Sequence, residues 1–373
     1  MEDKIWWMPF DDMEAFMRDC FVGVGVPPED ATICAEVLIT SDKRGIDSHG
    51  IGRLKPIYID RIQEGIQHPV TQFEVVKETE TTAVVDGHDG MGHVVGYRSM
   101  KMAIEKARKF GLGMVAVRNS THYGIAGYYS LMAIEAGQIG ITGTNARPSI
   151  APTFGVENML GTNPLTVGCP TDEEFPFVID CATSITQRGK IEVYARLDKT
   201  MPEGWVIGQD GKGRTDPKAT LKELVAGTAA LAPLGGIGED TGGYKGYSYA
   251  TVVEILSSAL QDGSYLKNLL GFDENGRKVP YHLGHFFLAI DIEHFIPLPV
   301  FKAIAGNICR ELRASRKAPG EDRIWTAGEK EHDAWLFRKD RGVPVNMPLR
   351  NDCDAMREAL GLSGYRFPWD ADQ

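Results

Sequence analysis

The chain has 373 residues, 43% hydrophobic and 24% charged, with 51 acidic side chains against 40 basic. At roughly 100–200 residues per lobe, this length suits two or three lobes and needs neither disulfide staples nor a folding metal. The net charge of −11 excludes a protein that coats nucleic acid, because phosphate binding needs a basic surface.

The first sixty residues read as helices. Met13 to Val22 carries spaced apolar residues and stops at Gly23. Pro27-Pro28-Glu29-Asp30 starts a second helix that runs to about Lys43 on the stripe Ala31, Cys34, Val37, Leu38. Asp47-Ser48 is expected to cap a third helix holding Leu54, Ile57 and Ile62. From residue 70 the pattern changes: Phe73 to Val76 and Thr81 to Val85 are short strands, followed by a helix over Val94 to Phe110. The apolar run Gly113 to Val117 is a strand, Tyr128 to Ala136 a helix, and Ile139 to Thr142 a strand. Phe175 to Ile179 is a further strand ending in Asp180, and Met201 to Pro217 reads as a long loop. Later elements are a helix over Tyr247 to Leu260, a strand over Phe286 to Ile290, and helices over Val300 to Ser315 and Asp352 to Leu360. Asp291, Glu293 and His294 alternate with apolar neighbours like a half-exposed strand. Strand–helix–strand with short joints predicts an α/β fold on a mixed or parallel sheet.

The six cysteines form no CxxC pair, and no Cys/His cluster has zinc spacing, so no metal is assigned. The acidic start lacks a signal-peptide core, and no apolar run approaches the ~20 residues of a membrane helix. These features suit a soluble, cytoplasmic protein.

In open α/β sheets, ligands sit beyond the carboxyl ends of strands. Three such ends here are polar: Arg118 to Gly124, Thr142 to Asn145, and Asp180 to Ser184. His122 can exchange a proton near neutral pH, although a lone histidine as often bonds a loop carbonyl. Ser48-His49 followed by Arg53 places a histidine and a guanidinium on one helical face, suited to a carboxylate. A capping serine beside a surface histidine explains the same residues more blandly. Gly235-Gly236-Ile237-Gly238 and Gly242-Gly243-Tyr244-Lys245-Gly246 suit a backbone that wraps an anion, or merely a flexible loop. The GxGxxG fingerprint after a strand and the P-loop pattern are both absent. His282 and His285 lie near a strand rather than on one helical face, which argues against a metal pair.

Taken in order, SHG with Arg53, NSTHYGIAGYY, TNARPSIAPTFG, LGTNP, DCATS, RGKIEVYAR, PEGW and EDTGGYKG resemble the malate/L-lactate dehydrogenase family of the non-Rossmann type. That family also holds ureidoglycolate and sulfolactate dehydrogenases and diketogulonate and piperideine-carboxylate reductases. The resemblance covers roughly residues 10 to 330. It implies a non-Rossmann, mixed-sheet nicotinamide-binding domain (76–299) and a helical domain formed from both chain ends (1–75 and 300–373). It also implies a homodimer or larger assembly, NAD or NADP as cofactor, and a 2-hydroxy/2-keto acid or cyclic imine as substrate.

By the same resemblance, His122 and His49 are the catalytic candidates, and Ser48, Arg53, Tyr58 and Thr121 the substrate contacts. Asn145, Asp180, Cys181, Ala182, Lys245, Gly320 and Glu321 are the cofactor contacts, and Asp180 is a further proton-donor candidate. The expected chemistry has His122 as acid/base, His49 orienting the substrate and Arg53 holding its carboxylate. Malate or lactate is the expected hydroxy acid, malate first; a second carboxylate needs another cation, for which Arg188 and Arg118 are candidates. A catalytically silent dinucleotide-binding protein is the competing reading from another class.

Overall fold

The computed structural model describes residues 4–372; residues 1–3, part of the acidic start, and residue 373 lie outside it. Strand β1 (Trp6–Met8) pairs antiparallel with Val343–Val345 near the far end of the chain. Helix α1 (Phe10–Gly23) packs on α2 (Pro28–Lys43), whose first turn holds Pro28, Glu29 and Asp30, all suited to a helix start. Their apolar stripes share one core with Val343, Val345, Met356, Phe367 and Trp369, so the two chain ends fold together.

The expected third helix is not capped by Asp47 or Ser48. Asp47 pairs with Arg338 at 2.5 and 2.8 Å, and the Ser48 hydroxyl turns to His49. A 3-10 turn (Ile51–Arg53) leads instead into a π-helical stretch (Leu54–Ile59) and then α3 (Asp60–Gln63). Pro56 lies inside that stretch, and its missing N–H breaks the regular α-helical ladder. The turn begins on Asp42, whose carboxyl accepts the Ile51 N–H at 2.9 Å.

Asp42 is fully buried, and burial pushes its pKa up to about 8. Its folded pKa therefore exceeds its unfolded one, so its contribution is full below the unfolded carboxylate range and is lost as pH rises through about 8. Asn keeps an acceptor for Ile51 and does not titrate. Asp42→Asn is expected to gain thermal stability over the wild type as pH rises from 5 to 8, by ~2 °C or more; melting curves at several pH values check this.

The main sheet is built from β2 (Glu74–Glu78), β3 (Thr82–Asp86), β4 (Leu112–Ser120), β5 (Gln138–Thr144), β6 (Leu165–Cys169), β7 (Phe177–Cys181) and a late strand, Leu283–Asp291, in the order β2-β3-β4-late-β5-β6-β7. The late strand is almost wholly buried and runs antiparallel to both β4 and β5. With β3 parallel to β4, and β5–β6–β7 successively antiparallel, strands β3, β4, β5 and β7 all point one way. The sheet is mixed, as expected. Helices α4 (Gly92–Phe110) and α5 (Gly127–Glu135) pack on it.

Several elements escaped the sequence reading. Strand β6 is five residues between Asn163-Pro164 and Pro170. Helix α6 (Arg188–Arg196) buries only Ile191, so it shows little periodic signal. The expected long loop contains β8 (Val206–Gly208), which pairs with β9 (Ala229–Leu231) around α7 (Pro217–Ala226). Helix α7 was missed as well, although its signals stand in the sequence: Asp216 accepts the N–H groups of Lys218 and Ala219, Pro217 opens it, and Gly227 closes it in a left-handed conformation. Helix α8 (Gly243–Leu256) begins earlier than expected, on the glycine loop itself. The late strand, β10, ends at Asp291, whose carboxylate accepts the Glu293 N–H and starts a 3-10 turn where a strand was expected. Helices α9 (Leu298–Ala314), α10 (Glu329–Arg338) and α11 (Met347–Ala359), with strand β11 (Val343–Val345) before the last, complete the chain. Arg310 and Arg313 of α9 bind Glu173, joining α9 to the segment before β7.

Candidate active site

Because β4, β5 and β7 run in the same direction, their polar ends meet one edge of the sheet. The β7 end lines a cavity of about 250 Å³ with Asp180, Cys181 and Ala182. The turn after β4 contributes Gly124, Ile125 and Ala126, and the segment after α2 contributes Ser48 and His49. Gly124 has φ +79°, and a Cβ there would meet Val37 at 2.5 Å, so only glycine makes this turn.

His122 sits at the head of that turn with its ring stacked on His49, centroids 5.8 Å apart. Its Nδ1 lies 2.5 Å from the hydroxyl of the fully buried Tyr58 and 3.2 Å from the Gly124 N–H. An amide N–H only donates, so Nδ1 accepts in this arrangement and the neutral ring carries its proton on Nε2. Burial, then the positive charge that His49, His93, Arg61 and Arg53 carry or acquire, holds the imidazole well below its ordinary range. His49, bonded through Nδ1 to the Ser48 hydroxyl at 2.8 Å, is lowered to about 4 by burial and by Arg53. Arg53 donates its Nε–H to the Ser48 carbonyl at 2.5 Å and has no carboxylate partner among the described residues. His49 and Arg53 therefore come together through a tight turn, not through the helical face expected.

Asp180 accepts the Gly127 N–H at 2.7 Å, at the start of α5, and the Thr166 hydroxyl at 3.0 Å. Burial raises its pKa against the pull of these bonds. The other expected site residues have structural occupations. Thr121 donates to the Gly90 carbonyl and accepts the Gly92 N–H, which fixes the start of α4. Asn145 bridges Gly284 and the Ser264 carbonyl, pinning β5 to the start of β10. Lys245 is exposed on α8. A Cβ on Gly243 would lie 1.9 Å from the Gly236 carbonyl, so close packing of the loop on α8 explains glycine there. Gly320 and Glu321 occupy an exposed turn. Thr121, Asn145, Lys245, Gly320 and Glu321 do not line the cavity; nor do His122, Arg53 and Tyr58, and His122 adjoins it through its neighbours His49 and Gly124.

The sequence profile of the malate/L-lactate dehydrogenase family matches residues 8–352. The chain belongs to the malate/L-lactate dehydrogenase family. It is 44% identical over 357 residues to a malate dehydrogenase of Pyrococcus horikoshii, covering 96% of each chain. It is 38% identical over 341 residues to an L-sulfolactate dehydrogenase of Methanocaldococcus jannaschii, covering 91% of this chain and 93% of that one. The crystal structure of malate dehydrogenase from Entamoeba histolytica superposes with a TM-score of 0.92 at 45% identity, over 98% of this chain and 100% of that one.

Like these relatives, this family member is an oxidoreductase of 2-hydroxy acids. Its site includes residues that sequence reasoning missed. Glu331 of α10 lines the cavity opposite His49 and Asp180, and Arg44, at the end of α2, feels both carboxylates. Helix α10 was announced by Thr326-Ala327-Gly328-Glu329, a capping-box spacing in which the Glu329 carboxylate accepts the Thr326 N–H at 2.9 Å. The cations expected for a second carboxylate are engaged elsewhere: Arg118 binds Asp86 at 2.8 Å, and Arg188 binds Glu192 at 3.0 Å. His285 is held between the Thr144 and Ser120 hydroxyls and His282 by Asp89. Among the described residues no group of three or more His, Cys, Asp or Glu side chains is placed to hold a metal.

Proposed function

We propose that the chain interconverts malate and oxaloacetate, using NAD or NADP. The observation that carries this reading is a half-buried imidazole, His122, backed by Tyr58, stacked on His49 and placed near an arginine with no carboxylate of its own. The wall beyond Ala182 suits a nicotinamide carboxamide or ribose, because the buried hydroxyls of Ser184 and Thr186 have no protein partner. The nicotinamide, when bound, supplies or accepts the hydride at C2 of the acid.

In the direction of reduction, Arg53 holds the C1 carboxylate through its free guanidinium nitrogens. Protonated His122 gives its Nε2 proton to the carbonyl oxygen while Nδ1–H donates to the Tyr58 oxygen. The Tyr58 hydroxyl thus changes from donor to acceptor as the ring charges. His49, steadied by Ser48, orients the 2-oxygen, and Asp180 keeps α5 in place beside the cavity. Oxidation reverses these steps.

The pH dependence follows from the lowered imidazole. His122 is neutral at pH 7 in the free enzyme; with its proton shifted from Nε2 to Nδ1, where the Tyr58 oxygen accepts it, the bare Nε2 is the base that takes the hydroxyl proton in oxidation. Malate kcat/KM is expected to stay flat from pH 8 to below 6.5 and to fall only in more acid solution. Oxaloacetate kcat/KM should decline about tenfold per pH unit over the neutral range, as the acid form becomes scarcer. Initial rates at 340 nm in both directions check the two limbs.

The same reading includes a reducing cytoplasmic setting, two lobes and self-association. All six cysteines are free, and among the described residues no helix is long and apolar enough to cross a membrane. A helical lobe from residues 1–75 and 300–373 beside a mixed-sheet lobe of 76–299 draws support from the core that the N-terminal helices share with residues 343–369, whereas α9 is tied to the sheet lobe through Glu173. A homodimer or larger assembly is supported by α9, which exposes Val300, Ile304, Ile308 and Leu312 in one stripe; sedimentation velocity tests it. The function itself is tested by absorbance at 340 nm with NADH or NADPH over a panel of 2-keto acids. Oxaloacetate is expected to lead the panel, and flat traces with every keto acid would overturn the proposal.

A further inference from the structure

A dicarboxylate needs a second cation, and the two arginines that the sequence offered are spent on Asp86 and Glu192. Arg61 is not. Arg61 lies in α3, three residues after the tyrosine that holds His122, and its charge acts on both Tyr58 and His122. Its guanidinium lies over the Tyr281 ring at 4.6 Å, which fixes the plane of the fork while leaving its edge N–H groups for an anion. No described carboxylate pairs with it. The charges that act most on Arg44, the other arginine near the site, are the carboxylates of Glu331 and Asp180, which disfavour an anion beside it.

The surroundings of His122 favour an anion with two charges. After burial, the groups that act on it most are His49, His93, Arg61 and Arg53, none of them acidic. In a chain of net charge −11, two guanidiniums without a carboxylate partner around one half-buried imidazole form a local positive focus. Resting on the proposed reading of the site, we infer that Arg61, seated on Tyr281, binds the second anionic group of the substrate and selects 2-keto acids that carry one. Arg53 takes the carboxylate common to all 2-keto acids; Arg61 takes the carboxylate or sulfonate at the far end.

The test compares kcat/KM for oxaloacetate and pyruvate at 340 nm in the wild type, Arg61→Leu, Arg61→Lys and Tyr281→Leu. Arg61→Leu is expected to lose about 100-fold on oxaloacetate, mostly through KM, and less than about threefold on pyruvate. Arg61→Lys keeps the charge without the fork and should fall between, as should Tyr281→Leu, which loosens the guanidinium. Should Arg61→Leu not fold, the Lys and Tyr281 variants carry the same comparison. Equal losses on both acids, or none, in a wild type that prefers oxaloacetate would overturn the role of Arg61 and leave the site reading intact. A wild type that turns over neither acid would overturn both.

Discussion

His122→Gln is expected to lower kcat for oxaloacetate reduction by roughly 10²–10⁴-fold while KM changes little. Glutamine can still hydrogen-bond the Tyr58 hydroxyl and the substrate oxygen, but it cannot carry a proton between them. The loss should therefore appear in turnover rather than binding. His49→Gln serves as the contrast. It lies in the cavity wall, bonded to Ser48, and its replacement should raise KM more than it lowers kcat. Steady-state kinetics of the two variants separate the roles, and a His49→Gln protein with the larger kcat defect would exchange them.

Arg53→Ala should cost about 2–5 kcal/mol in kcat/KM, a loss of roughly 30-fold to several thousand-fold, because a bound carboxylate would be left without its counter-charge. The effect should extend to every 2-keto acid, pyruvate included, which distinguishes it from loss of a group that reads only the far end of the substrate. Arg53→Lys should recover part of the loss, since an ammonium supplies the charge but not the two-pronged geometry. The Nε bond to the Ser48 carbonyl means that the Ala variant also loosens the His49 turn. Partial rescue by added guanidinium ion would assign the main loss to the missing charge.

The parts of the fold legible in the sequence are those with strong periodicity or hard punctuation. Helices α1, α2 and α4 and strands β3, β4 and β5 declared themselves through regular apolar spacing bounded by proline or glycine. Elements that bury little were missed: α6 contributes one buried residue, and β8 and β9 are three residues each. The central place of β10 was invisible because it depends on pairing across more than a hundred residues, His285 with Thr144 and with Val117.

For the site, the family resemblance grouped Ser48, His49, Arg53, Tyr58 and His122, but local spacing misjudged how His49 and Arg53 meet. A helical face was expected for His49 and Arg53, whereas buried Asp42 and Pro56 impose a turn and a π-helical stretch. Thr121 and Asn145 show the limit of motif reading. Their polar side chains look available in sequence, yet backbone groups at Gly90, Gly92, Ser264 and Gly284 claim them. Glu331 was missed for the opposite reason, because its helix returns from the far end of the chain to complete the cavity.

The most direct test mixes oxaloacetate with NADH or NADPH and follows 340 nm absorbance in a single turnover, for the wild type and His122→Gln side by side. The proton-donor role of His122 predicts rapid decay in the wild type and a decay at least about 100-fold slower in the variant, at substrate saturating for both. Equal decay rates in the two proteins would contradict it.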